Sequence, residues 1–99
     1  MEDAKKSDEN VVFIGTKPFM NYVTAVVMQF TAKQREEVVI KARGKFINRA
    51  VDVAEVVKKR FLEDQHIKIK DIKIDSEEFL NQEKRKINVS TIEITLSKH

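Results

Sequence analysis

A helical pattern lies between two strand patterns in the first half of this chain and limits the folds that it can adopt. From Phe19 to Phe30, apolar residues recur at spacings of three and four, as they do on one face of a helix. The β-branched and aromatic residues 11–14 precede this pattern, and residues 38–43 follow it with alternating apolar positions. These patterns predict a helix over about residues 18–32 and two strands paired in parallel across it. The first strand, apolar throughout, is expected to be buried on both faces.

The second half of the chain predicts one further helix and two strands. A second apolar stripe at helical spacing begins near Phe46 or Ile47. The alternation in residues 67–75 changes phase at residues 70–71, which indicates a β-bulge or a change of buried face, and residues 89–96 show a comparable change. Two such strands are expected to pair as a long antiparallel hairpin, half on the body and half projecting from it. Residues 76–88 between them are interpreted as a polar loop.

The order β-α-β-α-β-β predicts an α/β chain that folds as an α+β two-layer sandwich, with one mixed sheet and two helices on one face. The 99 residues suffice for one domain with a modest core. The polar residues 1–9 lack an apolar period and are predicted to form a mobile N-terminal tail. Residues 10–99 are expected to form the domain. The patterns leave the order of the strands in the sheet open.

Composition restricts the classes of function that this chain can have. Without cysteine, it has no disulfide and no thiolate metal site. No apolar run is long enough to span a bilayer, and the charged N-terminus lacks the apolar core of a signal peptide, so we expect an intracellular protein without a membrane partner. No nucleophile–base pair and no converging carboxylates stand out. We therefore expect neither an enzyme nor a cofactor or metal site.

Positive charge is concentrated in one part of the chain. The net charge is only +3, yet residues 11–49 hold seven basic residues and two acidic ones. Within residues 41–49, Lys41, Arg43, Lys45 and Arg49 flank Gly44 without any acidic residue. This stretch lies where a strand pattern gives way to a helix pattern, and the unpaired N–H groups of a helix start favour an anion. Extended geometry places Lys41 and Arg43 on one face, roughly 7 Å apart. Such a distribution is typical of a nucleic-acid footprint.

Five short motifs of this sequence resemble those of the archaeal Alba family of chromatin proteins. They agree with the family in order and spacing and cover essentially everything after residue 9. The motifs are NVVFIGTKPFMNYV at residues 10–23, IKARGK at 40–45, NRAVD at 48–52, RFL at 60–62 and STIEI at 90–94. The resemblance implies a fold similar to the C-terminal domain of bacterial translation initiation factor three. It also implies a homodimer that coats double-stranded DNA with little sequence preference, binds RNA, and compacts DNA as a chromosome-associated protein of the cytoplasm.

The resemblance also implies roles for individual residues. Lys17 matches a basic position in the family's first loop, and Arg43 and Lys45 match a pair that contacts the nucleic-acid backbone at the centre of the dimer. Residues 84–86 match a hairpin that reaches the minor groove, and Phe61 matches an aromatic residue at which dimers meet on DNA. With neighbouring polar residues added, the predicted nucleic-acid contacts are Lys17, Asn21, Tyr22, Lys41, Arg43, Lys45, Asn48, Arg49, Lys84, Arg85 and Lys86.

Two departures from the family pattern predict weaker binding. The family usually has two lysines before the proline of the first loop, whereas this chain has Thr16 and Lys17, so each subunit lacks one cation. The polar loop also carries Glu77, Glu78 and Glu83. Because each lost phosphate contact lowers the salt slope by roughly 0.9, we expect a lower affinity and a shallower salt dependence than in a typical member.

The sequence leaves three alternative functions open. In the first, RNA is the main ligand, because the same basic loops suit it. In the second, the chain has largely lost nucleic-acid affinity and acts through protein partners. The third is a nuclease in which Asp52 and Glu55, at i and i+3 of one helix, share a metal, although solvated helix carboxylates explain these two residues better. Tyr22 has an alternative as well, because its position on the apolar stripe of the first helix suits a core residue.

Overall fold

Two α-helices and a four-stranded sheet make up the part of the chain that the computed structural model describes, which is residues 9–62 and 65–98. A 3₁₀ turn (Gly44–Phe46) leads into the second helix, and a π-helical turn (Val57–Phe61) extends it. The predicted order β-α-β-α-β-β is confirmed. The elements are β1 (Val11–Phe13), α1 (Phe19–Thr31), β2 (Glu37–Arg43), α2 (Ile47–Val56), β3 (Ile67–Leu80) and β4 (Lys86–Lys98).

The sheet is mixed, as the sequence predicts, and its strands lie in the order β1-β2-β4-β3. β1 pairs in parallel with β2, with Val11 opposite Val39. Both β2 and β3 pair antiparallel with β4. The last strand of the chain therefore lies inside the sheet, and β3 forms one of its edges.

Both helices pack on one face of the sheet, and the core lies between the two layers. The alternation predicted for β2 is confirmed, since Val38, Ile40 and Ala42 are buried while the residues between them are not. Phe30 of α1 and Leu96 of β4 are also fully buried in this core. Burying a large apolar side chain contributes about 1.5–3 kcal/mol to stability relative to leaving it exposed.

The expectation that residues 11–14 are buried on both faces is wrong. Val12 and Ile14 are buried in the core, but Phe13 between them is 63% exposed. The helices cover only one face of the sheet, so β1 alternates between a covered and an open face in spite of its uniformly apolar composition. A large aromatic side chain is thereby left on the open face of the sheet.

The C-terminal end of α2 widens into the π-helical turn. The N–H of Leu62 bonds to the carbonyl oxygen of Val57, five residues earlier, at 3.0 Å. Both of these residues are buried, whereas Phe61 is 48% exposed. The widened turn keeps two apolar side chains in the core and leaves Phe61 on the surface, at the opposite end of α2 from Gly44.

β3 and β4 form a longer hairpin than the sequence predicts. Pairing continues to Leu80 opposite Lys86, so the interpretation of residues 76–88 as a polar loop is wrong. The outer hairpin, which is residues 76–90, is polar because both of its faces meet solvent. Its backbone does not leave the sheet. β2 ends opposite Thr91, so residues 76–90 extend beyond it, which confirms the predicted projecting half.

The hairpin turn spans residues 81–85 and is organised by the side chain of Asn81. Its Oδ1 accepts the N–H groups of Glu83 at 2.8 Å and Arg85 at 2.9 Å. Lys84 adopts a φ of 64°, which is uncommon for a residue other than glycine, and its N–H bonds to the carbonyl oxygen of Asn81 at 2.9 Å. The asparagine side chain thus closes the turn together with the backbone bond from the N–H of Asn81 to the carbonyl oxygen of Arg85 at 3.0 Å.

The phase change predicted at residues 70–71 is a β-bulge in β3. Asp71 follows Ile69 directly in the pairing with β4, so Lys70 is an extra residue on β3. The ammonium group of Lys70 binds the carboxylate of Glu37 at the start of β2. β4 has no extra residue in this pairing, and the phase change in its sequence reflects its passage from the projecting hairpin into the covered sheet.

Residues 1–8 of the predicted tail lie outside the described residues. Glu9, the last residue of that segment, uses its carbonyl oxygen to accept the side-chain N–H of Gln29 at 3.2 Å, and its carboxylate lies 3.6 Å from the guanidinium of Arg35. The boundaries of the tail and the domain stay predictions. No helix within residues 9–62 and 65–98 combines the length and the apolar character that crossing a bilayer requires.

Candidate nucleic-acid interface

The parallel pairing of β1 and β2 brings the loops that follow these strands to one end of the sheet. The loop of residues 14–18 follows β1, and the turn Gly44–Phe46 follows β2. The hairpin passes the same end, because Arg43 lies opposite Thr91 and the β3–β4 pairing continues beyond it. Two loops and the base of the hairpin therefore meet in one region, which we call the loop end.

Tyr22 supports the first loop from inside. Its hydroxyl oxygen accepts the N–H of Gly15 at 3.0 Å and the N–H of Lys17 at 2.9 Å. Tyr22 is only 7% exposed, and a Cβ added at Gly15 would lie 3.4 Å from its hydroxyl oxygen. The tyrosine therefore lies beneath the loop as part of the core, and its predicted contact with nucleic acid stays a prediction.

Arg49 joins the first turn of α2 to the same loop. Its Nη1 donates to the carbonyl oxygen of Lys17 at 2.8 Å. Because Tyr22 binds the N–H of Lys17 and Arg49 binds its carbonyl, the backbone of Lys17 is fixed while its side chain stays exposed. The helix dipole does not favour a cation in the first turn, and the bond to the loop carbonyl accounts for the arginine at this position.

The turn between β2 and α2 requires the glycine that it contains. Gly44 adopts a φ of 59°, in the left-handed region that other residues rarely occupy, while a Cβ added there would make only an ordinary contact. The exposed Lys45 follows, with its Nζ 5.6 Å from the ring centroid of Phe46. Asn48 is exposed in the first turn of α2, as Asn21 is in the first turn of α1.

Two hairpin residues hold Arg43 at the end of β2. Its Nη1 lies 3.2 Å from Oε1 of Glu77, and its guanidinium carbon lies 5.2 Å from the ring centroid of Phe79. The side chains of Arg43 and Glu77 are 62% and 53% exposed, so this solvated pair contributes at most about 1 kcal/mol to stability. A carboxylate thus neutralises a cation that the family resemblance assigns to phosphate. No local pattern signals the contact, because 34 positions separate the two residues.

An open groove of about 760 Å³ lies beside this pair on the open face of the sheet. Lys41, Arg43 and Lys45 line it together with Phe13. The Nζ of Lys41 lies 5.8 Å from the ring centroid of Phe13 and 3.7 Å from Oε2 of Glu93. Phe13 is not among the site residues predicted from the sequence, because its place in an apolar run is typical of a core residue.

The remaining predicted contacts lie away from the loop end. Residues 84–86 are exposed at the tip of the projecting hairpin, where the Nε of Arg85 lies 3.8 Å from the carboxylate of Glu83. Phe61 lies at the opposite end of α2. The structure therefore brings together only the predicted contacts from the first half of the chain, which are Lys17, Asn21, Lys41, Arg43, Lys45, Asn48 and Arg49, with Tyr22 beneath them.

The carboxylates considered for a nuclease, Asp52 and Glu55, lie on the surface of α2. Glu55 forms ion pairs with Lys58 at 3.3 Å and with Lys59 at 3.2 Å. The hydrogen bond from Lys59 has the largest effect on the pKa of Glu55; desolvation opposes it and Lys58 adds to it, so the pKa lies below its usual value. Among the described residues, no three His, Cys, Asp or Glu side chains converge to hold a metal ion. An ordinary helix-surface cluster of charges accounts for Glu55.

A comparison with protein-family models agrees with this architecture. The family model described as Alba matches residues 10–76. The chain belongs to the Alba family. The resemblance carried by the sequence motifs is therefore confirmed, and the match extends through most of the body and into the outer part of β3.

Named relatives match almost the whole chain. DNA/RNA-binding protein Alba 1 of Archaeoglobus fulgidus is 57% identical over 90 residues, which cover 91% of this chain and 97% of that protein. DNA/RNA-binding protein Alba of Methanococcus maripaludis is 49% identical over 90 residues, which cover 91% and 99%. The solved structure of Alba from Thermoplasma volcanium superposes with a TM-score of 0.80 at 48% identity, covering 89% of this chain and 99% of that one. The names of the first two relatives describe proteins that bind DNA and RNA.

The substitution Tyr22→Phe tests the support of the first loop. We expect the amide hydrogens of Gly15 and Lys17 to exchange several-fold faster with solvent, because both N–H groups lose their acceptor, and the free energy of unfolding to fall by about 1 kcal/mol. Hydrogen exchange followed by NMR measures the first effect and urea denaturation the second. The amide of Ile14, which bonds to the carbonyl of Lys41 within the sheet, serves as the internal control. Unchanged exchange at Gly15 and Lys17 would contradict the assignment.

Proposed function

We propose that this Alba-family chain is an architectural chromatin protein that binds double-stranded DNA, and also RNA, through backbone phosphates with little sequence specificity. The observation that carries the proposal is the group of cations at the loop end, which four parts of the chain supply: Lys17 from the first loop, Lys41 and Arg43 from β2, Lys45 from the turn after it, and Arg49 from α2. In this role the protein contributes to DNA compaction and is associated with the chromosome in the cytoplasm. The relatives named DNA/RNA-binding protein Alba support the same choice of ligand.

The chemistry of the loop end favours phosphate over base edges. Lysine and arginine contacts to phosphate fix the position of a protein on the duplex without reading its sequence. Asn21 and Asn48 add neutral donors at helix starts, where the dipole also favours an anion. In this arrangement Tyr22 acts indirectly, by holding the backbone that presents Lys17.

The projecting hairpin extends the proposed contact along the duplex. Residues 84–86 carry three cations at its tip, and lysine and arginine side chains suit the narrow, electronegative minor groove. A two-stranded ribbon that reaches beyond the body can lie along a groove of the duplex while the loop end contacts the DNA backbone. Phe61, at the far end of α2, is proposed as the contact between neighbouring dimers on DNA.

A homodimer is part of the proposal, and an apolar surface on β3 supports it. Ile72 and Ile74 are 54% and 76% exposed, although they lie opposite the buried Ile94 and Ile92 of β4. They therefore project from the face of the sheet that carries the helices, at an edge that the helices do not cover. Val51 of α2 is 40% exposed as well. A second copy of the chain would remove this apolar surface from water and double the number of cations facing one duplex.

Binding weaker than in a typical member is the finer part of the proposal. Thr16 replaces one cation of the first loop, and Glu77 holds Arg43 by an ion pair. Both features lower the net positive charge that a phosphate meets. RNA as the main ligand is the second candidate, because the names of the relatives include both nucleic acids.

Arg43→Ala tests the proposed contact with backbone phosphate. We expect the plot of log affinity against log salt for duplex DNA to become shallower by up to roughly 0.9 per subunit, because one phosphate contact is lost in each, and the ion pair with Glu77 keeps the change below that value. Fluorescence anisotropy over a series of salt concentrations measures this slope. Lys33→Ala is the matched control, since Lys33 lies in the connection before β2, at the other end of the strand from Arg43. Equal slopes for the two variants would contradict the proposed role of Arg43.

Glu77→Gln tests whether the hairpin carboxylate weakens binding. We expect duplex affinity to rise about two- to tenfold at low salt, because Arg43 loses its competing anion in both subunits. The salt dependence should steepen by up to roughly 0.9 per subunit. Glu78→Gln removes the same charge from the opposite face of the hairpin and serves as the control. An equal gain in both variants would mean that only the overall charge matters.

Ile74→Asp tests the proposed dimer surface. We expect the wild-type protein to have twice the chain mass of 11.5 kDa by multi-angle light scattering, and the variant to have the mass of a single chain, because a carboxylate would be buried without a partner. Met28→Asp places the same charge on an exposed apolar position of α1 and should leave the mass unchanged. A wild-type mass of one chain would overturn the proposed dimer.

A further inference from the structure

Phe13 is an exposed aromatic residue in the groove that cations of the loop end line. The proposed contact with duplex phosphates does not use it. Its ring lies on the open face of the sheet, where cross-strand pairing places it beside Lys41, and Lys41 beside Glu93. The residue is 63% exposed. Its ring is accompanied by the ammonium of Lys41 at 5.8 Å from the ring centroid. An exposed aromatic ring with a cation beside it is suited to a ligand that is itself flat and carries negative charge nearby.

The space around this ring has the size and charge for a nucleotide. Phe13 forms part of the groove of about 760 Å³ that Arg43 and Lys45 also line, and ligand sites commonly measure about 300–1,000 Å³. It also borders a second depression of about 550 Å³, lined by Lys17 and Asn21. Cations therefore lie on both sides of the ring, at positions where a strand crossing it would carry its phosphates.

We propose that Phe13 is a stacking platform for an unpaired base of single-stranded nucleic acid, whose phosphates bind at Lys41 and Arg43. Bases inside a duplex already stack on both faces, whereas an unpaired base can offer its face to this ring. The inference goes beyond the proposed function by assigning a second form of ligand to a separate residue. It rests on the proposed function only for the cations that the two binding modes share.

The carboxylates of the groove restrict the position of the strand. Glu93 and Glu77 lie on the β4 and hairpin side of the groove, whereas Phe13 lies on β1. Phosphates are therefore expected along the side formed by β1 and β2. Because the ion pair of Arg43 is solvated and that of Lys41 is partly exposed, their exchange for phosphate costs little.

Phe13→Leu tests the stacking, because leucine keeps the apolar bulk and loses the aromatic face. The probes are a thymine-rich single strand of about twelve nucleotides with one 2-aminopurine, the matching uracil-rich RNA, and a DNA duplex of the same length. We expect the variant to bind the single strands roughly five- to a hundredfold more weakly, with less than about a twofold change for the duplex. Quenching of 2-aminopurine by the wild-type protein should be lost in Phe13→Leu and return in Phe13→Trp.

A control variant and the comparison of DNA with RNA single strands distinguish the possible outcomes of this experiment. Met28→Ala truncates another exposed apolar side chain, on α1, and should leave all affinities unchanged. Equal loss for DNA and RNA strands would assign the contact to the base alone, whereas a larger loss for RNA would add a contact to the 2′-hydroxyl, and both support the platform. Unchanged single-strand binding in Phe13→Leu, or an equal loss for the duplex, overturns it. Phe13-dependent binding of single strands without duplex binding would overturn the proposed function and leave this inference standing.

Discussion

The parallel pairing of β1 with β2 determines which loops meet at the loop end. It places the C-terminal ends of both strands side by side, so the loop with Lys17 and the turn with Gly44 become neighbours although they are far apart in the chain. Tyr22 and Arg49 then fix the first loop from below and from the side. In an antiparallel pairing, the C-terminal ends of the two strands would lie at opposite ends of the pair. The cations of the two loops would then be separated by the length of β2.

Two cations of the loop end share an energetic property. Arg43 and Lys41 each have a carboxylate partner, but the pair of Arg43 is solvated and that of Lys41 is partly exposed, and ion pairs in contact with solvent contribute at most about 1 kcal/mol. Such a carboxylate orients a long side chain in the free protein. An anion with more charge readily displaces the carboxylate. The interface therefore combines fixed backbone positions with exchangeable side-chain contacts, which suits a ligand whose phosphates repeat along its length.

Periodicity predicted the elements whose two faces differ in environment. The stripe from Phe19 to Phe30, the alternation of β2 and the bulge at Lys70 all follow from one covered face, and the structure confirms them. The outer hairpin was misjudged because both of its faces meet solvent, which leaves no alternation to detect. Phe13 was misjudged because a run of three or four apolar residues looks the same whether one face is covered or both. Contacts such as that of Arg43 with Glu77 depend on strand register, which local patterns do not encode.

The bulge at Lys70 affects the direction of the hairpin but not the set of residues on each of its faces. These two properties are usually coupled. An extra residue bends its strand and increases the local twist, so it sets the direction in which the ribbon leaves the body. The cross-strand partners on either side of it follow each other without interruption on β4, so removing Lys70 would leave every pair, and hence the face occupied by Glu77 and Phe79, unchanged. The geometry of the ribbon and the chemistry of its surface can therefore vary independently among related sequences.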